Sequence, residues 1–331
     1  VDPSTTLLGR PLPIPLVLAP TGFTRIATPG GELDVARPAA RAGLPYVLST
    51  LSTRSIEEVA ACSEGPKWFQ VYVWKDRGLV RDMLARATTC RYEAIVLTVD
   101  TPVLGRRERD VRRGFTLPPT VGPATLVDGL LHPGWTWAFV RGEPIVFANV
   151  AASVSTDAAS AGPGAGEAVA LADFINEQFD ASLSWSDLEW IREAWSGPIV
   201  LKGVQRVEDA RTAATVGVDA VALSNHGGRQ LDGAPPPVEL LAPVAEAVGD
   251  RVELICDGGV RRGSDIVKAL ALGARAVMAG RAYLYALGAG GEQGVDHVIG
   301  LLDAGVRRTM ALAGCRTVDE IGPDLVRFRG R

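Results

Sequence analysis

Histidine is the scarcest functional side chain in this sequence: there are three, His132, His226 and His297, in 331 residues. Cysteine is nearly as rare. Cys62, Cys90, Cys256 and Cys315 are widely spaced and form no CxxC pair, which argues against a disulfide framework and fits a reducing, cytoplasmic setting. No uninterrupted apolar run reaches the ~18 residues of a membrane-spanning helix, and no signal peptide precedes the first apolar run. There is no excess of positive charge either: 34 Lys and Arg stand against 38 Asp and Glu, a formal charge of -4. That balance gives no general attraction to phosphate backbones, so nucleic acid is not an expected partner. The chain opens at Val1 rather than Met, from which a missing natural N-terminal segment is expected. What the chain does have is apolar mass, 47% hydrophobic residues, enough to bury a large core.

That mass is arranged in short β-branched runs alternating with helical patterns, the signature of parallel strands joined by helical crossovers. Eight runs are read as strands: "IPLVLAPTG" from Ile14, "PYVLSTL" from Pro45, "KWFQVYV" from Lys67, "AIVLTVD" from Ala94, "PIVLKGV" from Pro198, "AVALSNH" from Ala220, "ELICDGG" from Glu253 and "AVMAGRA" from Ala276. Segments such as "DRGLVRDMLARATTC", "RVEDARTAATVG" and "GSDIVKALALG" carry ordinary helix boundary residues. Eight such pairs predict a (β/α)8 TIM barrel in a single domain over 1–331, with an open doubly wound sheet as the alternative.

The fourth strand ends near Asp100 and the fifth begins near Pro198, and an interval of that length without regular structure predicts a functional loop or lid. This insertion, at about 105–185, contains the Gly-, Ala- and Ser-rich "SVSTDAASAGPGAGEAVA", which predicts mobility, and the aromatic "LLHPGWTWAFV". Residues 115–180 hold one basic residue, Arg141, against seven acidic ones. Membrane-surface segments carry the opposite charge, so a flap over the active site is favoured over an anchor.

In a TIM barrel the chemistry sits at the C-terminal strand ends, and these are unusually polar here. Ser49 and Thr50 end the second strand, Gln70 and Tyr72 lie in the third, Thr98 and Asp100 end the fourth, Lys202 is in the fifth, Ser224, Asn225 and His226 end the sixth, and Asp257 ends the seventh. Alternation puts Gln70 with Tyr72, Thr98 with Asp100, and Ser224 with His226 on common faces. Any one of these fits a satisfied buried polar group. Together they imply a polar ligand, since a buried polar group without a partner costs ~1 to 3 kcal/mol. The runs "DGGVRRGSDIVKAL" and "AGRAYL" add glycines, arginines and a helix start after the last two strands, a pattern suited to a phosphate.

With these residues in place, the sequence resembles the FMN-dependent α-hydroxy acid oxidase and dehydrogenase family, which includes glycolate oxidase, lactate oxidase and mandelate dehydrogenase. "SNHGGRQLDGAP" matches its active-site signature, and "TVDTPVLGRRERDVRRGF", "LKGV", "DGGVRRGSDIVKALALGARAVMAGR" and "TMALAGCR" follow its order from about Leu7 to Ile321. The resemblance implies FMN as cofactor. Ala19, Pro20, Thr21, Gly22, Ser49, Gln70, Thr98 and Ser224 would lie around the flavin, with Lys202 at its N1 and O2 edge. Asp257, Gly258, Gly259, Arg261, Gly280 and Arg281 would hold the ribityl chain and phosphate. It further implies His226 as the base, Asp100 as the carboxylate stabilising the imidazolium, Arg107 and Arg229 as the carboxylate clamp, and Tyr72 as a substrate hydrogen-bond donor. His132 and His297 are read as ordinary surface or capping residues. A homo-oligomer, a tetramer, is implied as well.

Three departures bear on the substrate. Leu51 stands where the family has a tryptophan, and Gly22 where glycolate-type oxidases commonly have alanine; the helical segment that begins its relatives, with a carboxylate-contacting tyrosine, has no counterpart here. The smaller residues and the aromatic flap point to an aryl substrate, (S)-mandelate or 4-hydroxymandelate, oxidised to the 2-keto acid with O2 as acceptor and H2O2 as product. Electron transfer to a quinone or protein acceptor, oxidative decarboxylation, another FMN barrel such as an isopentenyl diphosphate isomerase, and a catalytically silent phosphate-binding barrel are the alternatives.

Overall fold

The strand-forming runs are apolar almost throughout because parallel barrel strands are covered on both faces, by the barrel interior and by the helices outside. In the computed structural model, which describes residues 1–105, 107, 108, 112, 122, 127, 129–143, 145–150 and 177–328, they form β3 (Leu16–Leu18), β4 (Tyr46–Leu48), β5 (Lys67–Tyr72), β6 (Ala94–Thr98), β7 (Ile199–Val204), β8 (Ala220–Ser224), β9 (Glu253–Asp257) and β10 (Ala276–Ala279). These eight pair in parallel and close with β10 beside β3, so the fold is the TIM barrel the pattern predicts. Val17, Val47, Val96, Val200, Ile255 and Met278 pack inside the barrel, and a larger cluster joins the strands to the surrounding helices.

The helices start where local chemistry satisfies their free amides. Ser55 and Glu58 form a reciprocal capping box on Ile56–Ala61, and the Asp76 carboxylate accepts from the Gly78 and Leu79 amides before Arg77–Thr89. The helix Arg281–Ala313 ends on Gly314 in the left-handed conformation, and is interrupted at Gly290 and Gly291.

Two strands were not anticipated. β1 (Thr5–Leu7) and β2 (Arg10–Leu12) make an antiparallel hairpin turning through Leu8 and Gly9, both at positive φ. Each is three residues long, too short to show alternation, and Pro11 masks the second. Leu7 and Leu12 join the interior cluster, while Leu8 N–H donates to Glu253 at 2.6 Å at the start of β9, so the hairpin closes the N-terminal end of the barrel.

The insertion after β6 departs from expectation in a second way. It is not without regular structure: "PGWTWAFVR" forms the helix Pro133–Arg141, and Asp187–Ala194 forms another before β7. The first docks beside the β3 loop, where Trp135 Nε1 donates to the Ile26 carbonyl at 2.9 Å, but Trp137 and Phe139 remain 60% and 47% exposed. Residues 147–149 are laced to the β4 loop through Ser52 and Asn149, and Phe179 pairs with Trp74. The stretch 153–170, expected to be mobile, lies outside the described residues. Among the described residues no helix is long and apolar enough to cross a membrane.

Candidate active site

Strand register assembles the polar ends into adjacent rows. Tyr72 pairs with Thr98 and Thr98 with Lys202 across β5, β6 and β7, and Ser224 pairs with Asp257 across β8 and β9. Residues far apart in sequence therefore meet at one barrel mouth.

At its centre His226 Nδ1 lies 3.0 Å from Asp100 Oδ1 and 3.2 Å from Oδ2. Asp100 is almost fully enclosed, whereas the imidazole is partly open, so the carboxylate orients the ring from behind. The room for Asp100 comes from the glycine of "LKGV": a Cβ on Gly203 would lie 2.7 Å from Asp100 Cβ, and Gly203 sits at φ +105 where β7 shifts register. Next to this pair, Lys202 Nζ lies 2.9 Å from Asp257 Oδ2, both buried. Burial by itself would lower the Lys202 ammonium, but Asp257 and Asp100 outweigh it and raise its pKa, keeping a fixed positive charge in the mouth. Tyr72 is pushed up to about 12 by burial, with Lys202 and Arg107 pulling down and Asp100 pushing up.

Arg229 is half-buried on the turn after β8, and the loop after β6 packs directly against that turn. A Cβ on Gly105 would lie 2.6 Å from the Arg229 carbonyl oxygen. Gln230 fastens the two segments: its Nε2 donates to the Asp100 and Val103 carbonyls at 3.0 Å each, and its Oε1 accepts from Gly105 N–H at 3.2 Å. Gln230 lies inside the motif that singled out Arg229, yet its spacing alone shows no reason to separate it from any turn residue.

The other wall contains the groups attributed to the flavin ring. Gln70 Oε1 accepts from Ser49 Oγ and from Thr50 N–H, each at 3.2 Å, which leaves Gln70 Nε2 buried without a partner; Thr98 Oγ1 is in the same condition. Two unsatisfied buried groups side by side in the mouth are what a heteroaromatic ligand rich in carbonyl and ring nitrogen atoms would satisfy. Ala19 is fixed by Tyr283, whose hydroxyl donates to the Ala19 carbonyl at 2.7 Å and also meets Thr21 Oγ1. Pro20 and Thr21 are half-buried beside it.

Gly258 and Gly259 follow β9 at φ +127 and +78, and Gly280 precedes the helix beginning at Arg281. A Cβ on Gly280 would meet Ala19 and Thr21 at 3.6 Å, so the two ends of the cradle touch. The helix start after Arg262 is less open than the sequence implies, because Asp265 accepts from the Arg261 and Arg262 amides at 3.0 Å. An anion here would rely on the glycine-lined backbone and on the exposed Arg261 and Arg281 side chains.

Glu32 went unnoticed in the sequence. It is fully buried, and its carboxylate accepts from Thr53 N–H at 2.8 Å, Thr53 Oγ at 2.7 Å and Thr24 N–H at 3.3 Å, joining the loops that carry Gly22 and Leu51. Locally "GGELDV" reads only as a helix start. His132 and His297, by contrast, are exposed as expected.

A parallel barrel whose mouth joins a carboxylate-oriented imidazole, a buried cation and a glycine-rich anion cradle is equipped to hold a phosphorylated cofactor and move a proton beside it. The sequence pattern of the FMN-dependent dehydrogenase family matches residues 1–328, and the chain belongs to that family, with FMN as its cofactor. An L-lactate dehydrogenase from Caulobacter vibrioides is 47% identical, over 99% of this chain and 84% of its own length. Among solved structures, the monotopic membrane protein (S)-mandelate dehydrogenase is 42% identical with a TM-score of 0.90, over 97% of this chain and 83% of that one. A mandelate oxidase with a bound difluoro-2-hydroxy-3-phenylpropionic acid is 38% identical with a TM-score of 0.77, over 96% and 80%. The protein is accordingly an FMN-dependent 2-hydroxy acid oxidoreductase.

Proposed function

We propose that this protein oxidises an aromatic (S)-2-hydroxy acid, mandelate or 4-hydroxymandelate, to the 2-keto acid. The observation that carries the proposal is the Asp100–His226 pair beside Lys202 in a mouth where Gln70 and Thr98 hold unspent buried polar atoms. FMN, when bound, supplies the acceptor for the two electrons that leave the substrate. The protein's own residues do the rest. His226, with Nδ1 committed to Asp100, faces substrate through Nε2 and takes its proton, and the carboxylate stabilises the imidazolium. Arg107 and Arg229 hold the substrate carboxylate, to which planar guanidinium groups bind in pairs. Tyr72, held protonated by burial, donates to a substrate oxygen. Lys202 would set its positive charge beside the flavin, and Arg261 and Arg281 would hold the phosphate.

The aryl preference rests on Gly22 and Leu51, small residues in adjoining loops, and is supported by mandelate in the names of the structural relatives. The rings of Trp137 and Phe139 lend it little, since they face solvent. With O2 as electron acceptor the second product is H2O2, the site of action is the cytoplasm and the assembly is a homotetramer.

A second reading passes the electrons to a quinone or protein acceptor at a membrane surface. It is supported by the exposed apolar side chains Leu130, Leu131, Trp137 and Val140, and by the monotopic membrane relative. One experiment separates them. The flavin is bleached anaerobically with (S)-mandelate, then mixed with O2 or with a soluble quinone. Fast recovery of colour with O2 and H2O2 in stoichiometric yield supports the oxidase; recovery only with the quinone supports the dehydrogenase. A flavin that lactate bleaches and mandelate does not would overturn the aryl assignment.

A further inference from the structure

We infer that Ser224 is a positioning residue for His226, tying the turn that carries the base to the buried Lys202–Asp257 ion pair. The inference rests on the reading of His226 as the base.

His226 adopts φ +56, a left-handed conformation that a residue with a side chain enters only where its surroundings hold it there. Its side chain is restrained by Asp100, but that contact fixes the ring and not the backbone. The backbone is held from two sides. His226 N–H donates to Ser224 Oγ at 3.0 Å, and the carbonyl of the next residue, Gly227, accepts from Arg281 Nη2 at 2.9 Å.

The Ser224 hydroxyl has one proton and two lone pairs, and all three are engaged. It donates to Asp257 Oδ2 at 2.7 Å, accepts from Lys202 Nζ at 3.3 Å and accepts from His226 N–H. A rotor with every direction spent cannot turn, so the lone pair that meets His226 is aimed by the ion pair behind it. Ser224 is fully buried. The sequence grouped Ser224 with the flavin contacts. The bond to His226 N–H adds a role toward the base.

The test uses the FMN-loaded enzyme carrying Ser224→Ala, which removes one oxygen and should fold. Flavin bleaching by saturating mandelate is expected to slow by about tenfold or more, because displacement of a reacting group by an ångström costs up to roughly 10²-fold. Substrate Kd is expected within about threefold of the parent, since no residue assigned to hold the substrate is changed. Ser224→Thr keeps the hydroxyl and should restore most of the rate. A readout independent of turnover is hydrogen exchange at the His226 amide, expected to be protected in the parent and at least about tenfold faster in Ser224→Ala. Bleaching at the parent rate would overturn the inference, as would equal exchange at the His226 amide in both proteins. If no 2-hydroxy acid bleaches even the parent flavin, the reading of His226 as base fails, while the exchange result still decides whether Ser224 holds the turn.

Discussion

Gly22 and Leu51, from loops after different strands, are in contact: a Cβ built on Gly22 would lie 3.0 Å from the Leu51 carbonyl oxygen and 3.2 Å from Leu51 Cβ. Phe23 N–H donates to the same carbonyl at 3.0 Å, so the approach is fixed by a backbone hydrogen bond. Adding a methyl at residue 22 must therefore move Leu51 or its own loop. Gly22→Ala and Leu51→Trp should each lower the ratio of kcat/KM for mandelate over lactate by about tenfold, equivalent to ~1.4 kcal/mol, as overfilling penalises the larger substrate. Because the residues touch, the double variant should depart from the product of the single effects. A ratio that stays level in both single variants would remove these residues from the side-chain pocket.

His226→Ala and Asp100→Asn should leave FMN in place while slowing flavin bleaching, since neither change touches the glycine cradle. Loss of general-base catalysis is worth ~10² to 10⁴-fold, and the asparagine should retain part of the rate by still orienting the ring. Rapid mixing with mandelate measures this directly. Bleaching within about threefold of the parent in His226→Ala would refute the assignment.

Arg229→Lys preserves charge but not the planar pair of donors. Substrate Kd, from the concentration dependence of bleaching, should rise by about tenfold, with a smaller change in the limiting rate. An unchanged Kd would put Arg229 outside the carboxylate site, leaving Arg107 and Tyr72 to bind it.

Alkaline pH should destabilise the fold through its tyrosines. Burial pushes Tyr72 up to about 12 and raises Tyr46, Tyr92 and Tyr283 in the same direction. Below pH 10 these phenols are protonated in both folded and unfolded chains, and stability is fully present. Between pH 10 and about 12 the unfolded chain loses the Tyr72 proton while the folded chain retains it, so the unfolded state gains and stability falls. The urea midpoint should drop over this interval, with most tyrosinate absorbance appearing only as the chain unfolds. Since Tyr285 is exposed, more than one tyrosinate per folded chain at pH 11 would contradict the burial of these four rings.

The sequence alone determined the barrel and the chemistry its mouth could contain. Eight apolar runs were legible because both faces of a parallel barrel strand are buried, and glycines at Gly203, Gly258 and Gly259 mark backbone that a side chain would block or strain. Alternation likewise predicted that Ser224 and His226 share a face, but His226 lies beyond β8 at φ +56, where a turn and not the strand pleat sets its direction. Tertiary structure alone decided which of those polar groups meet. The hairpin Thr5–Leu12 and the helix Pro133–Arg141 escaped prediction because one is too short for periodicity and the other lies in a segment whose composition reads as loop. Glu32, Gln230 and the three bonds of the Ser224 hydroxyl were invisible for a different reason: each joins loops or strands whose spacing along the chain carries no record of their register around a closed barrel. A two-residue period states which way a side chain points, but hydrogen bonds fail within an ångström of misplacement, and only the closed strand order brings Asp100 to His226 and Asp257 to Lys202.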